Sequence, residues 1–443
     1  MARKATISLV AAATLTSLML GACSGSSDSD AASSTSDGTV SGDITFLTNR
    51  TDLDKDGTFD RYVEEFNETY PDVKVTVESI TNYEDEVRTR MNTPNGYGDV
   101  LLIPDAVGVD QYPDFFTSLG SVSELEEDYR FVSDKAYEDQ VYALAVGGNT
   151  FGVLYNKAVW EEAGLTDLPT TPDEFLTDLQ AIKDNTDATP YYTNYKDGWP
   201  LGGQWTDNFA GVGGNGDVEN EMATDTSPWD EGKPANIVDG LLYDIVAQGL
   251  SETDPLTTNW EQSKSDFATG KIATMVLGSW SIAQFQEAAT DAGADPEDVG
   301  FMPFPSNIDG KQYAKIGGDR RLAINVNTKS PEAAQAWLEF LVKDSDFAEI
   351  SGMISPSKAV TDLPENLTAL QDAGVELFEN NPSPEGEEGL LNKVADESQV
   401  DVWGNLYRQQ LVDTARGQAD GDKASFFADL NQRWGDAVTS LVS

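Results

Sequence analysis

Apolar and polar positions between residues 43 and 103 switch repeatedly between two periods. "DITFLT" (43–48) reads as a strand, after which Phe59, Tyr62, Val63 and Phe66 fall at i, i+3, i+4 and i+7, one face of a helix that Pro71 stops. "VKVTVE" (73–78) alternates with period two and predicts a second strand. A short helix is expected over "YEDEVRTRM" (83–91), and "DVLLI" (99–103) is the continuous apolar run of a strand buried on both faces. The order βαβαβ predicts a parallel sheet with helices on its faces.

The same alternation returns further along. "FGVLY" (151–155) precedes a helix near "NKAVWEEAG", and "TPDEFLTDLQAIK" (171–183) opens a helix with Thr171 as N-cap, Pro172 at its first position and Glu174 completing a capping box. "KIATMVL" (271–277) and "RLAINV" (321–326) are two more buried strands. Ser330 then caps a helix beginning at Pro331, with Ala334, Trp337, Leu338 and Leu341 on one face. From about residue 353 the chain reads as mainly helical.

The first 42 residues follow neither period. Arg3 and Lys4 precede an uncharged stretch from Ala5 to Leu20 that ends in Gly21 and Ala22, the layout of an export signal. Cys23 is the only cysteine, and the chain has no histidine, so an internal disulfide and Cys-His chemistry are both excluded. Leu20-Gly21-Ala22-Cys23 resembles the lipobox of bacterial lipoproteins, which implies acylation of Cys23 and a membrane anchor there. Ser24 to Gly42 is nearly all Ser, Asp, Gly, Ala and Thr and reads as a flexible tether.

A chain of 443 residues exceeds what one core fills, so two lobes are expected. With 28 Lys+Arg against 77 Asp+Glu the net charge is −49, which argues against nucleic acid or anionic lipid as partners. No Gly-rich phosphate loop, G-x-S-x-G elbow or H-E-x-x-H motif is present, and no spacing marks a catalytic carboxylate pair. Asp52, Asp54, Asp56 and Gly57 open like a calcium loop, but Val63 stands where the bidentate acid belongs. A solvated acidic turn at a helix start is the better reading. No metal or cofactor is expected.

Tryptophans are the conspicuous chemistry. Trp160, Trp337 and Trp434 sit in helical periods and read as core, whereas Trp199, Trp205, Trp229 and Trp260 lie among Gly, Asn, Thr and Pro. Trp280 stands just past the carboxyl end of a buried strand, the edge where open α/β sheets bind ligands. Flat aromatic faces flanked by amides and carboxylates suit a sugar, apolar on its faces and hydroxylated at its rim.

Four segments then carry a family resemblance: "GNTFGVLYNKAVWEEAGL" with "TPDEF" (147–175), "FATGKIATMVLGSW" (267–280), residues 298–341, and "VWGNLYRQQLVDTARGQ" (402–418). The chain resembles the carbohydrate-binding lipoproteins of ABC importers, extracellular solute-binding family 1, which includes maltose-binding protein. The resemblance implies an α/β, two-lobe periplasmic-binding-protein-like fold, with parallel-sheet lobes joined by hinge crossings and a helical C-terminus. It implies a signal peptide at 1–22, a lipid-anchored tether at 23–42, an N-lobe of 43–148 and 311–352, and a C-lobe of 149–310 and 353–443. It further implies a monomer with no enzymatic activity that holds a mono- or oligosaccharide, on the outer face of the cell membrane, for delivery to permease subunits. By the same resemblance Trp280 and Trp403 are aromatic platforms, Asn149 is a polar sugar ligand, and Asn49, Arg50 and Asp52 are polar contacts after the first strand. Gly317, Gly318, Asp319 and Arg320 form a loop of close backbone approach, and Tyr83, Asp99, Trp199 and Trp205 are further candidates. The segment 202–235 does not match maltose-binding protein. Two other classes stay open at this point: a lipid-anchored secreted glycoside hydrolase, and a binding protein for a peptide or polyamine.

Overall fold

The computed structural model describes residues 40–81, 83–104 and 107–442. The export signal, Cys23 and most of the tether lie outside the described residues. Two sheets organise the rest. The first runs in the order Val73–Ser79, Gly42–Thr48, Val100–Leu102, Arg321–Ile324, Ala143–Ala145. Its first three strands are parallel, as the βαβαβ pattern requires, and Arg321–Ile324 enters antiparallel between Val100–Leu102 and Ala143–Ala145.

The second sheet is built around the long strand Gly148–Asn156, flanked by Tyr313–Gly318 and Ile272–Gly278, both antiparallel to it. Both sheets are therefore mixed, because a strand that runs directly on from the other sheet arrives in the reverse direction. The α/β two-lobe expectation holds, with one boundary moved. Tyr313–Gly318, assigned from the sequence to the N-lobe, pairs with Gly148–Thr150 of the second sheet.

Local signals hold in most places. The helix Thr58–Thr69 buries Phe59, Tyr62 and Phe66 and ends two residues before Pro71. All seven residues of Ile272–Gly278 are buried. Thr171 Oγ1 accepts from the Glu174 N–H, but the Glu174 carboxylate reaches back to the Thr170 N–H at 2.8 Å, so the expected capping box is displaced by one residue. Ser330 makes no side-chain cap; its hydroxyl donates to the Asp43 carbonyl instead, tying the helix Pro331–Glu339 to the first strand. Trp160, Trp337 and Trp434 are core, as expected. Among the described residues no helix is long and apolar enough to cross a membrane.

Three segments pass between the sheets side by side. The chain leaves the first sheet after Ala145, returns to it at Arg321, and leaves again near Met353. Val146 N–H donates to Arg320 O at 3.0 Å, Asp319 N–H to Gly147 O at 2.8 Å, and Gly148 and Ile354 exchange two bonds of 2.8 Å. Packing leaves no room for a side chain at Gly147 or Gly148. A Cβ on Gly147 would meet Met353 Cβ at 2.7 Å, and one on Gly148 would run into the Phe131 ring. Phe131 itself is held in the left-handed region, φ 63°, where its N–H donates to Glu379 Oε2 at 2.7 Å. Gly148→Ala should therefore lower stability by about 1–3 kcal/mol through overpacking. A denaturant midpoint equal to that of the parent would contradict this account of the crossing.

Candidate functional site

At the edge of the second sheet nearest the crossings, the end of Ile272–Gly278, the start of Gly148–Asn156 and the end of Tyr313–Gly318 come together. The chain turns there from Gly278 through Ser279 into Trp280, which precedes the helix Ser281–Ala292. Its indole folds back over Gly278, where a Cβ would meet Cδ1 at 2.5 Å. Trp199 and Trp260 complete an aromatic cluster, with ring centroids 4.8 Å apart for Trp199–Trp260, 5.8 Å for Trp199–Trp280 and 6.1 Å for Trp260–Trp280. Trp199 keeps 40% of its surface exposed. Offset and tilted indoles of this kind hold one another rigid while presenting flat apolar area.

Trp403 lies on the far side of the Gly202–Gly203 backbone: a Cβ on Gly202 would meet the Trp403 carbonyl at 2.5 Å, and one on Gly203 would touch its ring at 3.9 Å. Gln204 links this turn to the sheet edge, its Oε1 accepting the Gly278 N–H at 2.8 Å. Asn149 is buried at the same edge, its Oδ1 accepting from Ser279 Oγ at 3.3 Å, and its Nδ2 has no hydrogen-bond acceptor among the described residues. A Cβ on Gly317 would meet nothing within 4 Å, so backbone is open to approach there.

The segments that carry Trp199 and Trp403 are fixed by one cation. Arg408 is fully buried and donates from Nε to Asp239 Oδ1 at 2.7 Å, and from Nη1 to the carbonyls of Gly202, Leu201 and Val402 at 2.8, 3.0 and 3.3 Å. Nη2 donates to Thr206 Oγ1 at 3.0 Å. Asp239 also accepts from Trp229 Nε1 at 2.7 Å and from the Tyr407 hydroxyl at 3.2 Å. Removing one partner of such a pair typically costs 3–5 kcal/mol, because the other charge stays buried alone.

Several sequence candidates do not join this edge. Trp205 is fully buried, edge-on to Tyr191 and Phe304, and Trp229 is likewise core. Tyr83 is buried in the first lobe, where its hydroxyl donates to Leu102 O at 2.8 Å and accepts from Leu102 N–H at 2.9 Å. Asp99 accepts from Thr45 N–H and Thr328 Oγ1, a structural tie within the first sheet. Arg50 and Asp52 pair at 2.7 Å in the first lobe beside the crossings, and Arg50 also donates to Ser351 Oγ. The hydrogen bond and charge of Arg50 hold the Asp52 carboxyl below its usual range. Asp54 and Asp56 accept from Ser79 Oγ and Thr58 N–H. Gly318 is required by packing, since a Cβ would meet Ala145 Cβ at 2.8 Å, and Arg320 pairs with Glu84 at 2.5 Å. Asn49 and Asp319 remain partly exposed on the crossing side. Gln204, Ser279 and Arg408 carried no sequence signal, since each acts through partners distant along the chain.

Comparison with known proteins places the chain as a whole. The profile of the family described as bacterial extracellular solute-binding protein matches residues 51–346. BlMnBP1 of Bifidobacterium animalis subsp. lactis, solved in complex with mannobiose, is 35% identical, with 90% of this chain and 95% of that chain covered and a TM-score of 0.79. BlMnBP2 of the same organism, described as manno-oligosaccharide specific and solved with mannotriose, is 34% identical with the same coverage and TM-score. The multiple sugar-binding protein of Streptococcus mutans is 24% identical over 345 residues, 76% of this chain and 78% of its own length.

One buried acid supports the loop before Trp199. The Glu252 carboxylate accepts from the Thr193 N–H at 3.0 Å and from the Thr193 hydroxyl, and burial pushes it up to about 7 against those bonds. A carboxyl raised on folding binds protons more tightly in the native state. Its contribution to stability is unaffected below pH 4.5, is lost progressively up to about pH 7, and is then constant. Glu252→Gln should remove that slope, making the variant more stable than the parent at pH 8 by on the order of 3 kcal/mol, the free energy of so large a shift. Parallel stability profiles for the two proteins between pH 5 and 8 would refute it.

Proposed function

The chain belongs to the bacterial extracellular solute-binding protein family, and from that membership we propose that it captures a manno-oligosaccharide between its lobes for delivery to an ABC importer permease. As a member of that family it binds a solute and does not transform one. The observation that carries the sugar reading is the tryptophan cluster beside the sheet edge, with Trp403 across the Gly202–Gly203 turn. Manno-ligands are favoured over other sugars by the two relatives at 34–35% identity across 90% of the chain.

In this reading Trp280, Trp199 and Trp403 meet sugar faces, the Asn149 amide meets a hydroxyl, and the Gly317 backbone admits close approach. Asn49 and Asp319 line the opposite wall. The lobes comprise residues 43–147 with 319–352, and 148–318 with 353–442. The protein acts as a monomer, and its outer-surface location follows from acylation of Cys23, for which the preceding basic and apolar residues supply the motive.

Calorimetric titration tests the ligand directly: mannobiose or mannotriose should bind, without release of mannose. Trp280→Ala should weaken binding about thirtyfold, the equivalent of roughly 2 kcal/mol of stacking and apolar contact. Failure of both sugars to bind would refute the ligand class, and unchanged affinity in the variant would remove Trp280 from the site. Fatty-acid labelling in cells should be abolished by Cys23→Ser; label retained in that variant would overturn the anchor.

A further inference from the structure

Lys315 lies two residues before Gly317 on the strand Tyr313–Gly318, with 8% of its side chain exposed. Its ammonium donates to Asp207 Oδ1 at 2.5 Å and to Glu219 Oε1 at 2.9 Å, and it stands 5.9 Å from the centroid of the Trp403 ring. Both carboxylates come from the segment 202–235. Asp207 follows the short helix Gly203–Thr206, and Glu219 belongs to the helix Val218–Thr224. The Gly203 end of the first helix is the surface that backs the Trp403 ring. The ring is thus bounded by a backbone that Lys315 anchors through Asp207, and by the Lys315 charge itself.

The electrostatics require all three groups together. Burial alone would depress the lysine, yet the two carboxylates outweigh it and hold the ammonium above its ordinary value. Burial pushes Asp207 up against the pull of Lys315, while on Glu219 the lysine outweighs burial and keeps the acid below its usual value. A cation at this distance from an indole face also contributes attraction of its own.

We propose that Lys315 is a positioning residue for ligand binding: its buried ammonium, gripping Asp207 and Glu219, seats the Gly203–Thr206 helix behind Trp403 and so sets the height and tilt of that platform. This rests on the sugar reading above only for the role of Trp403. The residue touches no ligand in this scheme. It works through the ring.

A double-mutant cycle on mannobiose affinity separates this from a purely structural role. Lys315→Met should weaken binding about tenfold in the parent and have no further effect in a Trp403→Ala background, the signature of coupled residues. Lys315→Arg, which keeps the charge, should recover most of the loss. An equal factor in both backgrounds, or unchanged affinity beside a lowered melting temperature, would overturn the proposal. A readout without ligand stands beside it. In protein labelled with 5-fluorotryptophan, the Trp403 resonance, identified by its absence in Trp403→Phe, should shift in Lys315→Met while that of buried Trp434 stays in place. An unmoved Trp403 resonance would overturn the assignment even if mannobiose fails to bind the parent, a failure that would count only against the sugar reading. If Lys315→Met does not fold, the variant K315M/D207N/E219Q, which leaves no carboxylate stranded, carries the same expectations.

Discussion

A single buried guanidinium holds the tryptophan-bearing edge of the second lobe in shape. Three carbonyls, from Leu201, Gly202 and Val402, point at Arg408 from two segments some 200 residues apart in sequence. Left without a donor, each would be a costly orphan in the core. The planar fork of arginine can serve several acceptors at once, and a lysine at this position could not reproduce that geometry. Asp239 neutralises the charge, and Trp229 and Tyr407 satisfy the remaining acceptor capacity of its carboxylate. The exposed indole of Trp199 and the half-buried indole of Trp403 stand on backbone whose position this network decides.

The crossings supply the complementary constraint. Because Val146, Gly147 and Gly148 are hydrogen-bonded on one side to the returning segment and on the other to Ile354, the three connections form a narrow ribbon. Glycine at 147, 148 and 318 lets Met353, Phe131 and the Ala145–Arg321 pair close against that ribbon. The lobes therefore share a packed joint, and a mutation there acts on both.

Much of this was legible from periodicity. Strands buried on both faces and amphipathic helices such as Thr58–Thr69 have patterns set by local geometry, and Thr171 and Pro172 mark their helix start for the same reason. Length suggested two lobes and the strand end pointed to Trp280; the family resemblance added the hinge crossings and the candidacy of Trp403. What escaped was long-range partnership. Trp205 lies in a four-residue helix too short to show a period, so its complete burial beside Tyr191 and Phe304 could not be read. Tyr83 was a candidate through the family resemblance, yet its hydroxyl is taken by the backbone of Leu102, 19 residues away, and of Leu47. Arg408 and Asp239, separated by 169 positions, gave no local sign of each other. The strand Tyr313–Gly318 was misassigned because sheet membership depends on the reversal at the crossing.

The two lobes present chemically unequal groups near the crossings. Trp260, Trp280 and Trp403 pack against the cores of the second lobe and Trp199 rests on the first two, while the first lobe offers polar and charged groups near the end of its leading strand. Stacking tolerates small displacements of a sugar ring, whereas hydrogen bonds demand registration. For the sugar reading proposed above, the asymmetry implies an order in time. In that proposal encounter is a broad, forgiving adsorption onto the aromatic side, discrimination waits for the polar side to engage, and the residence time of a sugar is governed by how often those polar contacts break.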